Sequence, residues 1–303
     1  MINGRKYDMR LYVLVVSYDP LVIYLYKDGL VRFSTEKYSL KPKNMNKQCV
    51  HLTNYSINKK AENYVRNNNK DSDNEDEQAT EDQSKWSYNQ LKTKLVSLGA
   101  DWETVDSEIK DVLIKSIISV EPHIVHSMNV QTKHKNVCFE LYGFDVILDS
   151  KLKPWLLEVN VGPSLSSSSP FDKRLKTKLI CDMLTLVGVR PISKGSEKQK
   201  IGPGGLPRLR HHAESEKVSS SYSKLHGRTP AKTMLERGVS FKGNDRSKNE
   251  EFEVISEFVE QQDRLGSFNR IFPIAENVGY YGNFFDHTRY NNELLWEYLV
   301  NNQ

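Results

Sequence analysis

Three residues of this 303-residue chain have the types and spacing to hold a hard cation together: Asp145, Glu158 and Asn160. Side chains alternate along a strand, so Glu158 and Asn160 share a face, with Cα atoms about 6–7 Å apart. Asp145 falls in the preceding apolar run, the other arm of a hairpin. Two carboxylates and an amide oxygen suit Mg²⁺, which keeps some waters and completes its octahedron with substrate phosphates. The same spacing also fits Glu158 paired with a lysine and Asn160 ending its strand. Carboxylates embedded in an apolar hairpin are costly without a counter-ion.

A second group is cationic. Lys6, Asp8 and Arg10 alternate along the first strand, and Arg32 interrupts the apolar run Leu30 to Phe33. A guanidinium reaching over a metal site would clamp a phosphate or carboxylate; on an ordinary strand it faces solvent. The run His51 to Ser56 (HLTNYS) brings Thr53, Asn54 and Ser56, suited to hydrogen bonding or to plain turns. The Gly-rich phosphate loop, the dinucleotide turn and the Gly-x-Ser-x-Gly and His-Glu-x-x-His signatures are all missing, so those site types are not supported.

These residues need elements to position them. Runs rich in β-branched and aromatic residues predict strands at Arg10 to Val16, Leu21 to Tyr26 and Leu30 to Phe33, with Asp28-Gly29 read as a hairpin turn. Starting so near Met1, this sheet is expected to have nothing ahead of it to cover its first edge or face. Apolar spacing predicts a helix from Trp86 to Leu98, stopped by Gly99. Asp101 caps a second helix with an inward stripe of Trp102, Val105, Ile109, Val112, Leu113 and Ile117. A hairpin follows, Cys138 to Asp149 against Pro154 to Val161. A helix from Pro170 to Val187, with Leu175, Leu179, Ile180, Met183, Leu184 and Val187 inward, stops at Gly188. Two later helical patterns, Asn249 to Leu265 and Thr288 to Val300, read as a small satellite hairpin.

Composition bounds the rest. With 38% hydrophobic and 27% charged residues, the chain can build a substantial core. The formal charge of +4 hides an uneven spread: Arg190 to Lys248 holds 14 Lys/Arg against 5 Asp/Glu, leaving +9 there and −5 elsewhere. A basic segment of that kind implies an anionic partner, whether nucleic acid, anionic lipid or an acidic protein surface. Asp71 to Asp82 carries 7 acidic residues and no basic one, the mark of a solvated insertion at about 67–83. Cys49, Cys138 and Cys181 are expected to be reduced core thiols. No apolar stretch approaches the ~18 residues of a membrane span, and the charged N-terminus lacks the pattern of a secretory signal, so a cytosolic address is expected.

Five motifs in order resemble the tubulin tyrosine ligase-like family, with the flavour of its glutamate-adding members, the tubulin polyglutamylases. They are Tyr7 to Leu21 (YDMRLYVLVVSYDPL), Asp28 to Phe33 (DGLVRF), His51 to Ser56, Glu140 to Asp145 (ELYGFD) and Lys153 to Leu165 (KPWLLEVNVGPSL). The resemblance implies an α+β fold of the ATP-grasp type, of which residues 1–188 correspond to the C-terminal part without the N-terminal lobe. Composition makes residues 189–248 a basic, mostly disordered linker and apolar spacing makes 249–303 a helical C-terminal segment; the resemblance implies that the linker binds microtubules.

The resemblance also assigns roles. Asp145, Glu158 and Asn160 become the Mg²⁺ ligands, with Glu158 and Arg10 catalytic. Lys6 and Asp8 contact the adenosine part of ATP, with Thr53 and Asn54 near the nucleotide, and Arg10 faces the transferring phosphate. Arg32, Tyr55, Ser56, Lys85 and Lys176 hold the incoming free L-glutamate. The implied reaction is ATP-dependent ligation through an acyl phosphate, adding glutamate to glutamate side chains of the acidic tubulin tails. The implied partners are tubulin and microtubules, not nucleic acid or membrane, for a monomer at the cytoskeleton or cilium. The alternatives are a microtubule-binding module without catalysis, or a ligase of the same family adding glycine or tyrosine.

Overall fold

The computed structural model describes residues 1–61, 63–65, 83–132, 138–188 and 245–302. The acidic insertion and nearly all of the basic linker fall outside those residues. The architecture is α+β: a six-stranded sheet in the order β3-β2-β1-β4-β5, with β6 also pairing β2. Its strands are β1 Tyr7–Tyr18, β2 Leu21–Phe33, β3 Lys85–Ser87, β4 Glu140–Leu148, β5 Pro154–Val161 and β6 Phe268–Phe272. Every pairing is antiparallel.

β1 lies in the middle of this sheet, which corrects the expectation of an uncovered first strand. Its odd residues Met9, Leu11, Val13 and Val15 pack under α4 (Trp102–Gln131) through Ile109, Leu113 and Ile117. Its even residues Tyr12 and Leu14 pack under α5 (Pro170–Val187), α6 (Asp245–Glu260) and α8 (Tyr290–Asn301). Strands buried on both faces read as continuous apolar runs, and Leu11 to Val16 is one. The covering elements come later in the chain, so no local pattern around β1 could reveal them.

Further differences have local causes. The hairpin turn is at Asp19-Pro20, while Lys27-Asp28-Gly29 is a bulge inside one continuous β2, because Leu11 pairs with Gly29 and Val13 with Leu25. Gly29 is needed there: a Cβ would lie 2.6 Å from the Arg10 carbonyl oxygen. Asp28 Oδ1 accepts from the amides of Gly29 and Tyr88, tying the bulge to the start of α3 (Tyr88–Ser97). Trp86 therefore sits on β3, not in the predicted helix, whose N-cap is Ser87 in a capping box with Gln90. Leu98, expected inside, is exposed.

Asp101 caps α4 as expected, its carboxylate accepting from the Thr104 amide. On α5 the buried residues are Asp172 and the apolar Leu175, Leu179, Met183 and Leu186, whereas Leu184 is exposed. Gly188 ends that helix in the left-handed conformation at φ 74°. The C-terminal segment is not a satellite. Phe268 and Phe272 of β6 are fully buried, one in each core, and α8 joins both cores. The thiols are free but none is buried: Cys49 and Cys138 are half-buried and Cys181 is exposed. Among the described residues no helix is long and apolar enough to cross a membrane.

Candidate active site

Strand register lines up the charged residues in two rows on the sheet face that α5 covers. One row runs across three strands, Lys85 beside Arg32 beside Asp8. The other, one step along, runs Arg10 beside Asp145 beside Glu158. Apolar residues fill the rest of that face of β1 and β2, so burial of this charge is confined to one end of the sheet.

The rows are cross-linked. Arg32 donates from Nε to Asp8 at 2.7 Å and from Nη2 to Asp145 Oδ2 at 2.8 Å. Arg10 donates from Nη2 to the same Asp145 oxygen at 3.0 Å and from Nε to Oδ1. Asp145 is only 3% exposed, and burial works against its charge; the hydrogen bonds and charges of the two arginines overcome that and hold its carboxyl below the usual range. Burial likewise opposes the charge on Arg32, but Asp8 and Asp145 outweigh it and push its pKa up. Arg32 is thus a largely buried cross-link between carboxylates, its side chain 14% exposed, not a solvent-facing strand residue. Gly143 makes room for Arg10: a Cβ there would meet Arg10 Cδ at 3.1 Å and Pro163 at 2.8 Å.

Glu158 differs from its neighbour. β5 is an exposed edge, with Trp155, Leu157, Val159 and Val161 open to solvent, and the Glu158 side chain is 58% exposed. The expected apolar embedding applies to Asp145 and not to Glu158. Asn160 Nδ2 donates to Glu158 Oε1 at 3.1 Å and to the Gly143 carbonyl at 3.2 Å. Among the described residues no three His, Cys, Asp or Glu side chains form a metal cage. Two carboxylates and an amide, with one carboxylate open to solvent, instead fit a cation that takes most of its shell from water and phosphate.

The other expected residues divide. Thr53 is buried and donates from Oγ1 to Asp8, and Lys6 Nζ donates to the His51 carbonyl at 2.9 Å, so both join the Asp8 end of the row. Asn54 and Ser56 are exposed on the same turn, and among the described residues no side-chain hydrogen bond links them to the rows. Tyr55 starts α2 (Tyr55–Asn58), and the Lys85 ammonium lies 4.9 Å from its ring centroid. Lys85, which the acidic insertion separates from the other motifs in sequence, is buried and donates to Ser168 at 2.8 Å and Asp172 at 2.7 Å. Lys176 Nζ donates to the Ser166 carbonyl at 2.5 Å. Burial depresses its pKa, helped by Lys85 and Arg10 and opposed by Asp172.

Two buried polar residues that bond to this end of the sheet escaped the sequence reading. Asn58, almost fully buried, accepts from the Thr35 amide at 2.9 Å and donates to the carbonyls of Leu52 and Asn54, pinning the turn that carries Thr53. Asp172 holds Lys85. Its one visible signal was its place three residues after Ser169, the N-cap of α5.

The profile described as "Tubulin-tyrosine ligase family" matches residues 1–198. Tubulin polyglutamylase TTLL5 of Homo sapiens is 39% identical over 307 residues, covering 97% of this chain and 23% of the relative. Tubulin monoglutamylase TTLL4 of Homo sapiens is 36% identical, over 98% of this chain and 25% of the relative. Tubulin polyglutamylase ttll-4 of Caenorhabditis elegans is 33% identical, over 99% and 47%. The chain thus spans about a quarter of the two human relatives and about half of the nematode one. With the motifs that place Arg10, Arg32, Asp145 and Glu158 all inside the matched stretch, this chain belongs to the tubulin-tyrosine ligase family.

Proposed function

We propose that the chain carries the catalytic residues Arg10 and Glu158 and the amino-acid pocket of an ATP-dependent ligase that adds glutamate to glutamate side chains of tubulin tails. The observation that carries this reading is the double row Lys85, Arg32, Asp8 and Arg10, Asp145, Glu158, which sets cations beside an open carboxylate on one sheet face. A free amino acid with two carboxylates calls for several cations, and one without a charged side chain would not need them all. The relatives named tubulin polyglutamylase and tubulin monoglutamylase support the same chemistry.

In this reading the sheet is one lobe of an ATP-grasp-like fold. Asp145, Glu158 and Asn160 would hold Mg²⁺, whose charge screens phosphate oxygens during transfer. Lys6, Asp8, Thr53 and Asn54 would line the nucleotide, and Arg10 would face the γ-phosphoryl group. Asp145 keeps the Arg10 guanidinium aimed across the sheet, so stabilising charge is preorganised before substrate arrives. A glutamate carboxylate of the acceptor attacks the γ-phosphorus and ADP departs. The amine of free glutamate, held by Arg32, Tyr55, Ser56, Lys85 and Lys176, then attacks the acyl phosphate carbonyl. Phosphate leaves and an isopeptide bond remains. The +9 stretch from Arg190 to Lys248 supplies the charge to keep an acidic tail nearby, at the microtubule cytoskeleton.

The test is ligation by the intact protein with tubulin, ATP, Mg²⁺ and labelled glutamate, glycine or tyrosine. Incorporation of glutamate alone is expected. Preferred labelling by glycine or tyrosine would overturn the substrate, and absence of any labelling from a protein that still sediments with microtubules would favour a binding module.

A further inference from the structure

We infer that Asp172 is a positioning residue of the amino-acid pocket, acting through Lys85. The inference rests on the reading of Lys85 as a contact for the incoming amino acid. Asp172 stands in the first turn of α5, where the helix dipole favours a negative charge. Three donors converge on its Oδ2: Lys85 Nζ at 2.7 Å, the Ser168 hydroxyl at 2.6 Å and the Ser168 amide at 3.1 Å. Its Oδ1 is buried and has no hydrogen-bond partner among the described residues. A carboxylate serving only to cap a helix would spread its bonds over both oxygens, since an unsatisfied buried acceptor is costly. Here the group is turned so that one oxygen serves Lys85, and the other goes without.

The consequence for Lys85 is a fixed ammonium. Ser168 and Asp172 set two of its three N–H directions, and the Tyr55 ring lies against it. Lysine is a flexible point charge and loses rotamer freedom when it binds a ligand. Holding it beforehand on the face it shares with Arg32 reduces that loss and sets where a substrate carboxylate must sit. The Asp172 charge also offsets that of Lys85, so an empty pocket keeps the buried ammonium compensated.

Steady-state kinetics of the intact protein test this with Asp172→Asn, which keeps the side-chain shape and leaves the Ser169 cap in place. The expected result is an amino-acid KM raised about tenfold or more, the scale of one charge-assisted hydrogen bond, with kcat and the ATP KM changed less than about twofold. In a Lys85→Gln background the Asp172→Asn change should add nothing further. An effect on kcat and both KM values alike, or an additive effect in the double variant, would overturn the inference. Should Asp172→Asn fail to fold, Ser168→Ala removes a hydroxyl bonded to both partners, and an unchanged amino-acid KM there would count against it. If Lys85→Gln raises the amino-acid KM and Asp172→Asn does not, this inference alone falls. If Lys85→Gln leaves that KM unmoved, the pocket assignment falls and the inference with it. A parent enzyme that uses a different amino acid sinks the glutamate reading, yet a selective rise in that amino acid's KM still upholds the role of Asp172.

Discussion

Asp145 and Glu158 face each other as register partners on β4 and β5, yet Asp145 is 3% exposed and the Glu158 side chain 58%. The difference follows from their neighbours. Both Asp145 oxygens accept from arginine, whereas Glu158 stands on an edge strand with its nearest guanidinium at 4.0 Å. Asp145 is tied to both arginines, and Glu158 keeps its carboxylate open to solvent. Replacing Glu158 by Gln should therefore change folding stability by no more than ~0.5 kcal/mol, the usual range for an exposed position. Glutamate incorporation should fall by about 100-fold or more, as expected when a ligand of a charge-screening metal is lost. Urea denaturation and a labelling assay on one preparation check both halves.

Asp145 carries a pH signature. Burial alone would raise its pKa, but Arg10 and Arg32 hold it low, and Lys85 with Ser168 does the same for Asp172 against its burial. A group whose pKa is depressed on folding contributes stability that is full above its unfolded pKa, about 4, and is lost as pH falls below that. The chain should show a steep loss of stability in that acid range. Asp145→Asn should be about 3 kcal/mol less stable at pH 7, because it leaves the largely buried guanidiniums of Arg10 and Arg32 without that charge, and its acid loss should be shallower. Urea midpoints measured from pH 7 down to pH 3 would show this, and equal slopes for parent and variant would refute it.

Gly143 supplies space rather than flexibility. A Cβ there would lie 3.1 Å from Arg10 Cδ and 2.8 Å from Pro163 Cβ, and Arg10 is held by Asp145. Gly143→Ala should cost about 1–3 kcal/mol through overpacking. It should also push the guanidinium off Asp145, so ligation well below the melting temperature should drop more than the folded fraction does. An assay normalised to folded protein by circular dichroism separates the two effects.

Phe272 tests whether the C-terminal segment belongs to the main sheet. Its ring is fully buried against Tyr281, Phe285 and Trp296, on a strand paired with β2. Phe272→Ala should destabilise the whole domain by about 3–5 kcal/mol, visible as one lowered thermal transition. A separate satellite would instead melt on its own and leave the main transition where it was.

Residue pattern alone determined much of this protein. The β-branched runs mark β1, β2, β4 and β5, Asp101 and Gly188 mark helix ends, and alternation puts Glu158 and Asn160 on one face. Those signals are local, arising from backbone sterics, capping and the two-residue repeat of a strand, and they read directly from neighbouring residues. The five motifs added the family.

Tertiary structure decided the rest. Which strand lies in the middle, which edge stays open and which face each charge shares depend on pairings between distant segments, and no local period encodes those. β1 became central because β4 pairs its other side from more than a hundred residues away, and β6 joined the sheet from the far end of the chain. Lys85 met Asp172 only when α5 folded back over the sheet. Residue pattern left Arg32 either solvent-facing or clamping an anion, and the register set it between Asp8 and Asp145. Charges in the middle of a sheet are tolerated where non-local pairing compensates each one, and that compensation is visible only in three dimensions.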